Sequence, residues 1–142
     1  MPSKWDKFEQ RVMVILGQEE TDNIFRSDEH LQVYLEYLKN NVEHPCLVTG
    51  MEDFPWEEKY VFGYGDEREY EELKKTNPSY KDTFTLIEFE LVTKAERIFA
   101  TIERVTDKKR FSLPLEDLEA KSKKSPNYQL LDDYSSWYVN FQ

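Results

Sequence analysis

The chain has 142 residues, of which 29 are Asp or Glu and 19 are Lys or Arg, so its formal net charge is -10. This length predicts a single domain over residues 1–142, with enough chain to bury a substantial core. The 15% aromatic content argues against a disordered chain. The negative charge argues against a nucleic-acid partner, because an anionic protein gains nothing from contact with phosphates.

Two amphipathic helices are predicted in the first 44 residues. In residues 4–16, Trp5, Phe8, Val12 and Ile15 recur at steps of three and four, and Gly17 ends the helix. Ser27 caps a second helix. Its apolar face consists of Leu31, Tyr34, Leu35, Leu38 and Val42. Pro45 ends this helix, because proline disfavours helical geometry in the residue before it.

After Pro45 the pattern changes to short runs of strand-forming residues. Strands are predicted at residues 46–49, 59–62, 83–92, around 98–102, at 111–115 and at the C-terminus around Trp137, Val139 and Phe141. In residues 83–92, Thr85, Ile87, Phe89 and Leu91 are expected to share one face. An acidic helix at about 66–75, opened by Asp66, is inserted among the strands.

These elements predict an α+β protein. A helical segment, residues 1–44, packs on a small antiparallel SH3-like β-barrel formed by residues 45–142. Shared parity along the strands predicts one core that contains Ile98, Ile102, Leu113, Leu115, Trp137 and Val139.

The cellular location is predicted to be cytoplasmic. The N-terminal sequence MPSKWDKFEQ has no apolar run of the kind a signal peptide needs, and no stretch approaches the ~20 apolar residues of a membrane span. The single cysteine, Cys46, cannot form an intramolecular disulfide. We therefore expect no membrane partner.

The sequence offers little for catalysis, and we expect the protein not to be an enzyme. Only His30 and His44 could act as histidine bases, and neither belongs to a recognisable nucleophile motif. Cys46 is expected to be a buried thiol. Gly63-Tyr64-Gly65 resembles a phosphate-binding loop, but Asp66, Glu67 and Glu69 would repel a nucleotide at the following helix, so we interpret it as a turn.

The negative charge is concentrated in the middle of the chain. Residues 45–92 hold 12 acidic and 5 basic side chains, whereas residues 93–142 hold 8 acidic and 9 basic ones. The candidate metal ligands are paired carboxylates in predicted loops, where neighbouring side chains can point inward together: Glu52, Asp53, Glu57, Glu58, Asp132 and Asp133. Glu88 and Glu90 form a further pair on one strand face. Ca²⁺ prefers six to eight oxygen ligands, and the chain lacks an EF-hand loop.

Five short motifs occur in a recognisable order. They are Tyr34-Leu35-Glu36-Tyr37-Leu38, His44-Pro45-Cys46, Ile98-Phe99-Ala100-Thr101-Ile102, Leu113-Pro114-Leu115-Glu116-Asp117-Leu118 and Asp133-Tyr134-Ser135-Ser136-Trp137. This order resembles the cyanobacterial calcium-binding protein family (CcbP-like), mainly in the C-terminal half. The resemblance implies a small acidic cytosolic protein that binds calcium through surface carboxylates. Among the candidate ligands, Asp133 matches a family motif, while residues 52–82 form an acidic segment that the pattern lacks.

Two function hypotheses follow. The leading one is a calcium-binding protein of the buffer or signalling type, with Ca²⁺ held at surface carboxylates rather than in an EF-hand. The alternative is an acidic protein-interaction module of the inhibitor or immunity type, which would cover a basic protein partner.

Overall fold

The structure is a computed structural model that describes residues 3–142. The helices are α1 (Lys4–Leu16), α2 (Asp28–Asn41), α3 (Glu58–Val61), α4 (Glu67–Leu73) and α5 (Tyr128–Asn140). The strands are β1 (Leu47–Gly50), β2 (Phe84–Val92), β3 (Arg97–Arg104), β4 (Arg110–Pro114) and β5 (Leu118–Ala120). The predicted α+β class is therefore confirmed.

The two N-terminal helices form where the sequence predicts them. Ser3 and Asp6 form a reciprocal capping box at the start of α1, and Gly17 ends the helix in the left-handed region, at φ 67°. The side chain of Ser27 accepts a hydrogen bond from the backbone N–H of His30 and so caps α2. Within residues 3–142 no helix is long and apolar enough to cross a membrane.

The five strands form one antiparallel sheet in the order β4-β3-β2-β1-β5. The end strands β4 and β5 are not paired with each other, so the sheet is open. The predicted SH3-like barrel is not confirmed. The pairing of β1 with β5 joins residues about seventy positions apart, since Gly50 lies opposite Leu118.

A register shift changes which face the side chains of β2 occupy. Phe84 and Leu86 are buried in the first half of the strand, and Phe89 is buried in the second half. The shift lies between Leu86 and Glu88, so one extra residue restarts the alternation there. The predicted shared face therefore fails before Ile87, where Phe84 and Leu86 are buried instead of Thr85. It holds after Ile87, where Phe89 is buried.

Residues 59–61 belong to α3 and residue 62 lies in the turn that follows it, so the strand predicted at 59–62 was wrong. Pro55 occupies the first position of a 3₁₀ turn, Pro55–Glu57, and α3 follows this turn directly. Proline has a fixed φ that suits the start of a helix, so the chain enters the helical region before it reaches Lys59.

The C-terminal segment is the helix α5, not a strand. Trp137, Val139 and Phe141 alternate over five residues, which imitates a strand. Over a longer window the buried side chains follow helical spacing: Leu131, Tyr134, Ser135, Trp137 and Tyr138. As a result, Asp132 and Asp133 lie on a helix rather than in a loop.

The core lies between the sheet and helices α1, α2 and α5. Ile98, Ile102, Leu115 and Trp137 are fully buried, as predicted. Leu113 is partly buried, whereas Val139 is 59% exposed because it lies on the outer face of α5. The indole N–H of Trp137 donates to the carbonyl oxygen of Ile24 at 2.6 Å, which joins α5 to the segment before α2.

Candidate functional site

Glu57 is a fully buried carboxylate with several hydrogen bonds. Its Oε2 accepts from the Tyr70 hydroxyl at 2.7 Å and from the Ser79 hydroxyl at 2.8 Å. Its Oε1 accepts from the backbone N–H of Tyr80 at 2.8 Å. Burial and the hydrogen bond to Glu57 raise the pKa of Tyr70. Glu57 therefore connects α3, α4 and the chain that leads into β2.

The other three carboxylates predicted in this region lie nearer the surface. Glu52 and Glu58 are exposed and Asp53 is half-buried. Buried Phe54 separates Asp53 from the turn that contains Glu57. In the part of the chain that the structure describes, no three side chains of His, Cys, Asp or Glu are already arranged to hold a metal ion.

Glu52 instead lies near Asp117, which is preceded by Glu116; neither residue was among the predicted ligands. The backbone N–H of Met51 donates to the carbonyl oxygen of Asp117 at 3.0 Å, so the loop after β1 lies against the 3₁₀ turn Leu115–Asp117. Burial and the negative charge of Glu52 raise the pKa of Asp117. We call Glu52, Glu116 and Asp117 the acidic corner.

Glu116 is the most enclosed member of the acidic corner, with its side chain 8% exposed. Its Oε2 lies 3.1 Å from Nη2 of Arg97, but its buried Oε1 has no hydrogen-bond partner among residues 3–142. Burial raises the pKa of Glu116, and the charge of Asp117 adds to this shift. A buried carboxylate oxygen without a partner is costly, and it would be stabilised by a cation.

Asp133 is buried and paired with a base. It forms a two-point ion pair with Arg11, through Nε to Oδ2 at 2.7 Å and Nη2 to Oδ1 at 3.0 Å. Gln129 donates to Oδ1 at 2.9 Å. Asp132 is half-buried, and its pKa is raised by burial and by the charge of Asp133. This pair lies beside a groove of about 490 Å³ between α1 and α5.

Gly63-Tyr64-Gly65 lies in the connection between α3 and α4, and Asp66 caps α4 by accepting a hydrogen bond from the backbone N–H of Arg68 at 2.9 Å. The interpretation as a turn is therefore supported. The expectation that nucleotides do not bind there stays a prediction.

Cys46 and His30, the residues considered for catalysis, are both buried. Cys46 is buried, as predicted, and burial raises the pKa of its thiol, whereas reactive cysteines have a lowered pKa. The ring of His30 is buried, with Nδ1 2.6 Å from the carbonyl oxygen of Phe25.

Arg104 is a buried charged residue that the sequence argument missed. Its guanidinium donates to carboxylate oxygens of Asp82 and Asp107. It also donates to the backbone carbonyls of Lys74, Lys75 and Asn77. Arg104 therefore fixes the end of the acidic segment to strand β3. The alternation of β3 places position 104 on the buried face with Ile102, which was the available signal.

Comparison with known proteins gives a result at the level of the fold. No family model matches the sequence, and no curated protein matches it. Two solved structures are similar over 98% of this chain, each with a TM-score of 0.59. One is a "Calcium binding protein in the calcium-binding form", 14% identical and covered over 96% of its length. The other is "The crystal structure of Anabaena CcbP", 13% identical and covered over 94% of its length. The resemblance predicted from the sequence is thus confirmed for the fold, which this chain shares with these two proteins.

Proposed function

We propose that this protein binds Ca²⁺ through surface carboxylates, without an EF-hand and without catalysis, as a cytoplasmic buffer or signalling protein. The observation that carries the proposal is the acidic corner, where the buried Oε1 of Glu116 lacks a partner beside Asp117. One of the two proteins that share the fold is described as a calcium binding protein in its calcium-binding form, which supports the same ligand. A single buried cysteine agrees with a reducing compartment.

The first proposed site combines Glu52 and Asp53 with Glu116 and Asp117. Ca²⁺ accepts six to eight oxygens at about 2.3–2.6 Å, including water, so a few carboxylates on two adjoining loops are sufficient. The pKa of Asp117 is raised mainly by burial, and the charge of Glu52 adds to this shift while Arg97 opposes it. A bound cation would offset both the burial of the charge and the repulsion. We infer that the ion draws these side chains together.

The remaining predicted ligands are proposed as secondary positions. Asp132, together with Asp133, forms a second candidate cluster at the groove beside α1, although Arg11 already neutralises Asp133. Glu58 is exposed and free to turn toward an ion. Glu57 would first have to give up its bonds with Tyr70 and Ser79.

Thermal unfolding and calorimetric titration of chelator-treated protein test this function. A ligand that binds only the folded state stabilises it by about 2.7 kcal/mol at a hundredfold excess over Kd. Millimolar Ca²⁺ is expected to raise Tm, and Mg²⁺ is expected to do so much less, because it requires tighter octahedral geometry.

The variants D117N and E52Q are expected to lose much of the gain in Tm from Ca²⁺. In D117N the ion-free Tm should stay level or rise, because burial and repulsion disfavour the charged side chain. The control E19Q removes the same charge from an exposed turn after α1 and should keep the full gain. An unchanged wild-type Tm in Ca²⁺ relative to chelator would rule out the proposed function.

A further inference from the structure

The connection between α3 and α4 displays three apolar side chains on the protein surface. Val61 is 40% exposed, Phe62 is 66% exposed and Tyr64 is 86% exposed. Single exposed apolar side chains are common on soluble proteins, but contiguous patches with a polar rim mark interaction sites. We call Val61, Phe62 and Tyr64 the aromatic patch.

The backbone holds this patch in a defined conformation. The N–H groups of Phe62, Gly63 and Tyr64 donate to the carbonyl oxygens of Glu58, Tyr60 and Lys59, at 2.8–3.1 Å. Gly65 packs directly on the ring of Tyr60, where an added Cβ would lie 2.4 Å from a ring carbon. Phe62 and Tyr64 are therefore exposed on an ordered loop. Because the loop is already ordered, less conformational entropy is lost when a partner binds.

The stacked rings of Tyr60 and Tyr70 pack against the connection between α3 and α4. The rings of Tyr60 and Tyr70 are parallel within 2°, with centroids 4.9 Å apart. Their hydroxyls donate to Glu69 and to buried Glu57, so each ring is fixed at both ends. Beside this stack lies a groove of about 490 Å³, to which Gly63, Gly65 and Glu67 also contribute.

The segment around the patch and groove carries an excess of carboxylates. Residues 58–69 hold four acidic side chains and two basic ones, all exposed. Beyond them, Glu71 and Glu72 are paired with Lys74 and Lys75 at 2.9 and 3.0 Å, and Lys81 also lines the groove. Within the groove, Lys74 already lies 4.1 Å from the ring centroid of Tyr70, which shows that these ring faces accept ammonium groups. The surface thus combines aromatic anchors with a field that attracts cations.

We propose that the aromatic patch and the adjoining groove bind a basic segment of a partner protein, one that carries apolar side chains among its Lys and Arg residues. Aromatic residues dominate the energetics of such interfaces, while surrounding charges set the association rate and the choice of partner. A second copy of this chain fits poorly, because two surfaces with the same excess of carboxylates repel each other. This interaction goes beyond the proposed calcium binding and does not depend on it.

Fluorescence anisotropy with a labelled peptide of Lys-Lys-Leu repeats tests the proposal, with chelator present throughout. Two further peptides, of Lys-Lys-Ser and Glu-Glu-Leu repeats, separate charge from apolar contact. The variant F62S/Y64S removes the aromatic anchors. Its matched control, V14S/V139S, removes two apolar side chains that are 80% and 59% exposed elsewhere. A second pair, E67Q/E71Q against E19Q/E20Q, compares the loss of two carboxylates at the groove with a loss at a distant turn.

The Lys-Lys-Leu peptide is expected to bind the wild type more tightly than either other peptide, with an affinity that falls as salt rises. F62S/Y64S should weaken this binding at least about tenfold, as expected for the loss of interface anchors. E67Q/E71Q should weaken it more than E19Q/E20Q, and V14S/V139S should retain it. Circular dichroism confirms that each variant is folded.

Three results would overturn the proposal. They are the absence of binding to the Lys-Lys-Leu peptide, equal binding by F62S/Y64S, and a wild-type dimer that F62S/Y64S dissociates in sedimentation experiments. The last result would assign the patch to a second copy of the chain. Calcium titration is a separate measurement, so failure here leaves the proposed function standing.

Discussion

Two adjacent carboxylates, Glu57 and Glu58, have opposite environments. Glu57 is inaccessible to solvent and accepts three hydrogen bonds, whereas Glu58 begins α3 with its side chain exposed. The sequence alone treats them as an equivalent pair. The difference arises because the 3₁₀ turn directs the side chain of Glu57 toward Tyr70 and Ser79, whereas the side chain of Glu58, at the start of α3, faces water.

The substitution E57Q is expected to destabilise the protein by roughly 1.5–3 kcal/mol, the range for hydrogen bonds to charged groups. The fixed N–H of Tyr80 requires an oxygen at the Oε1 position, so the amide NH₂ would face two hydroxyls that now donate. Urea unfolding measures the change. The neighbouring variant E58Q should lie within about 0.5 kcal/mol of wild type. Equal stability of the two variants would contradict the structural role of Glu57.

Asp107 provides a prediction about acid stability. Its hydrogen bonds with Arg104 lower its pKa from 3.8 to about 2. A lowered folded-state pKa contributes stability above the unfolded value, and this contribution is lost as pH falls from about 4 to about 2. D107N should therefore be less stable than wild type at neutral pH, and the difference in Tm should shrink across this window. A difference that is constant with pH would show that the carboxylate charge is unimportant.

At the scale of elements, the short turn Leu115–Asp117 has two roles. Leu115 is fully buried and anchors the turn in the core, while the next two residues supply the acidic corner. Ser135 on α5 donates to the backbone carbonyl of Glu116 at 3.2 Å, which fixes the turn from the other side. The position of the candidate site therefore depends on apolar packing.

L115A is expected to cost about 2–5 kcal/mol, the usual range for removing a buried leucine side chain. Chemical denaturation of L115A and of the control L47A, whose side chain is 46% exposed, measures the difference. If both variants lost the same stability, the assignment of Leu115 to the core would be wrong.

Elements with local signals were predictable, and elements set by distant contacts were not. Gly17 directly follows the last residue of α1, and Ser27 directly precedes the first residue of α2. These signals are local, so the sequence predicts both helices. In contrast, the register shift near Ile87 has no local marker, and the five-residue alternation around Trp137 concealed α5. The pairing of β1 with β5 brings Glu52 close to Asp117 and so forms the acidic corner. Local sequence patterns do not predict this pairing, because the two strands are far apart in the chain.

The whole molecule is tied together by contacts between distant parts of the chain. Arg11 pairs with Asp133, Trp137 bonds to Ile24, and Arg104 holds the end of α4. Each contact joins a different pair of regions. The resulting network joins distant parts of residues 3–142, and the single domain over residues 1–142 stays a prediction.

This network predicts one cooperative unfolding transition. Trp5 lies in α1, Trp56 in the turn before α3 and Trp137 in α5, so single-tryptophan variants report on three regions. Within each variant, the fluorescence transition in urea should coincide with the transition seen by circular dichroism. A Trp56 fluorescence transition that precedes the circular dichroism transition of the same variant would instead identify the acidic segment as a separate folding unit.

The open sheet leaves two strand edges that could pair with other chains and start aggregation. Both edges carry features that oppose such growth. Strand β5 has only three residues and is followed by Lys121, Lys123 and Lys124. Strand β4 begins with exposed Arg110 and ends at Pro114, which has no N–H to donate. The fold can therefore leave its sheet unclosed and still resist edge-to-edge association at high concentration.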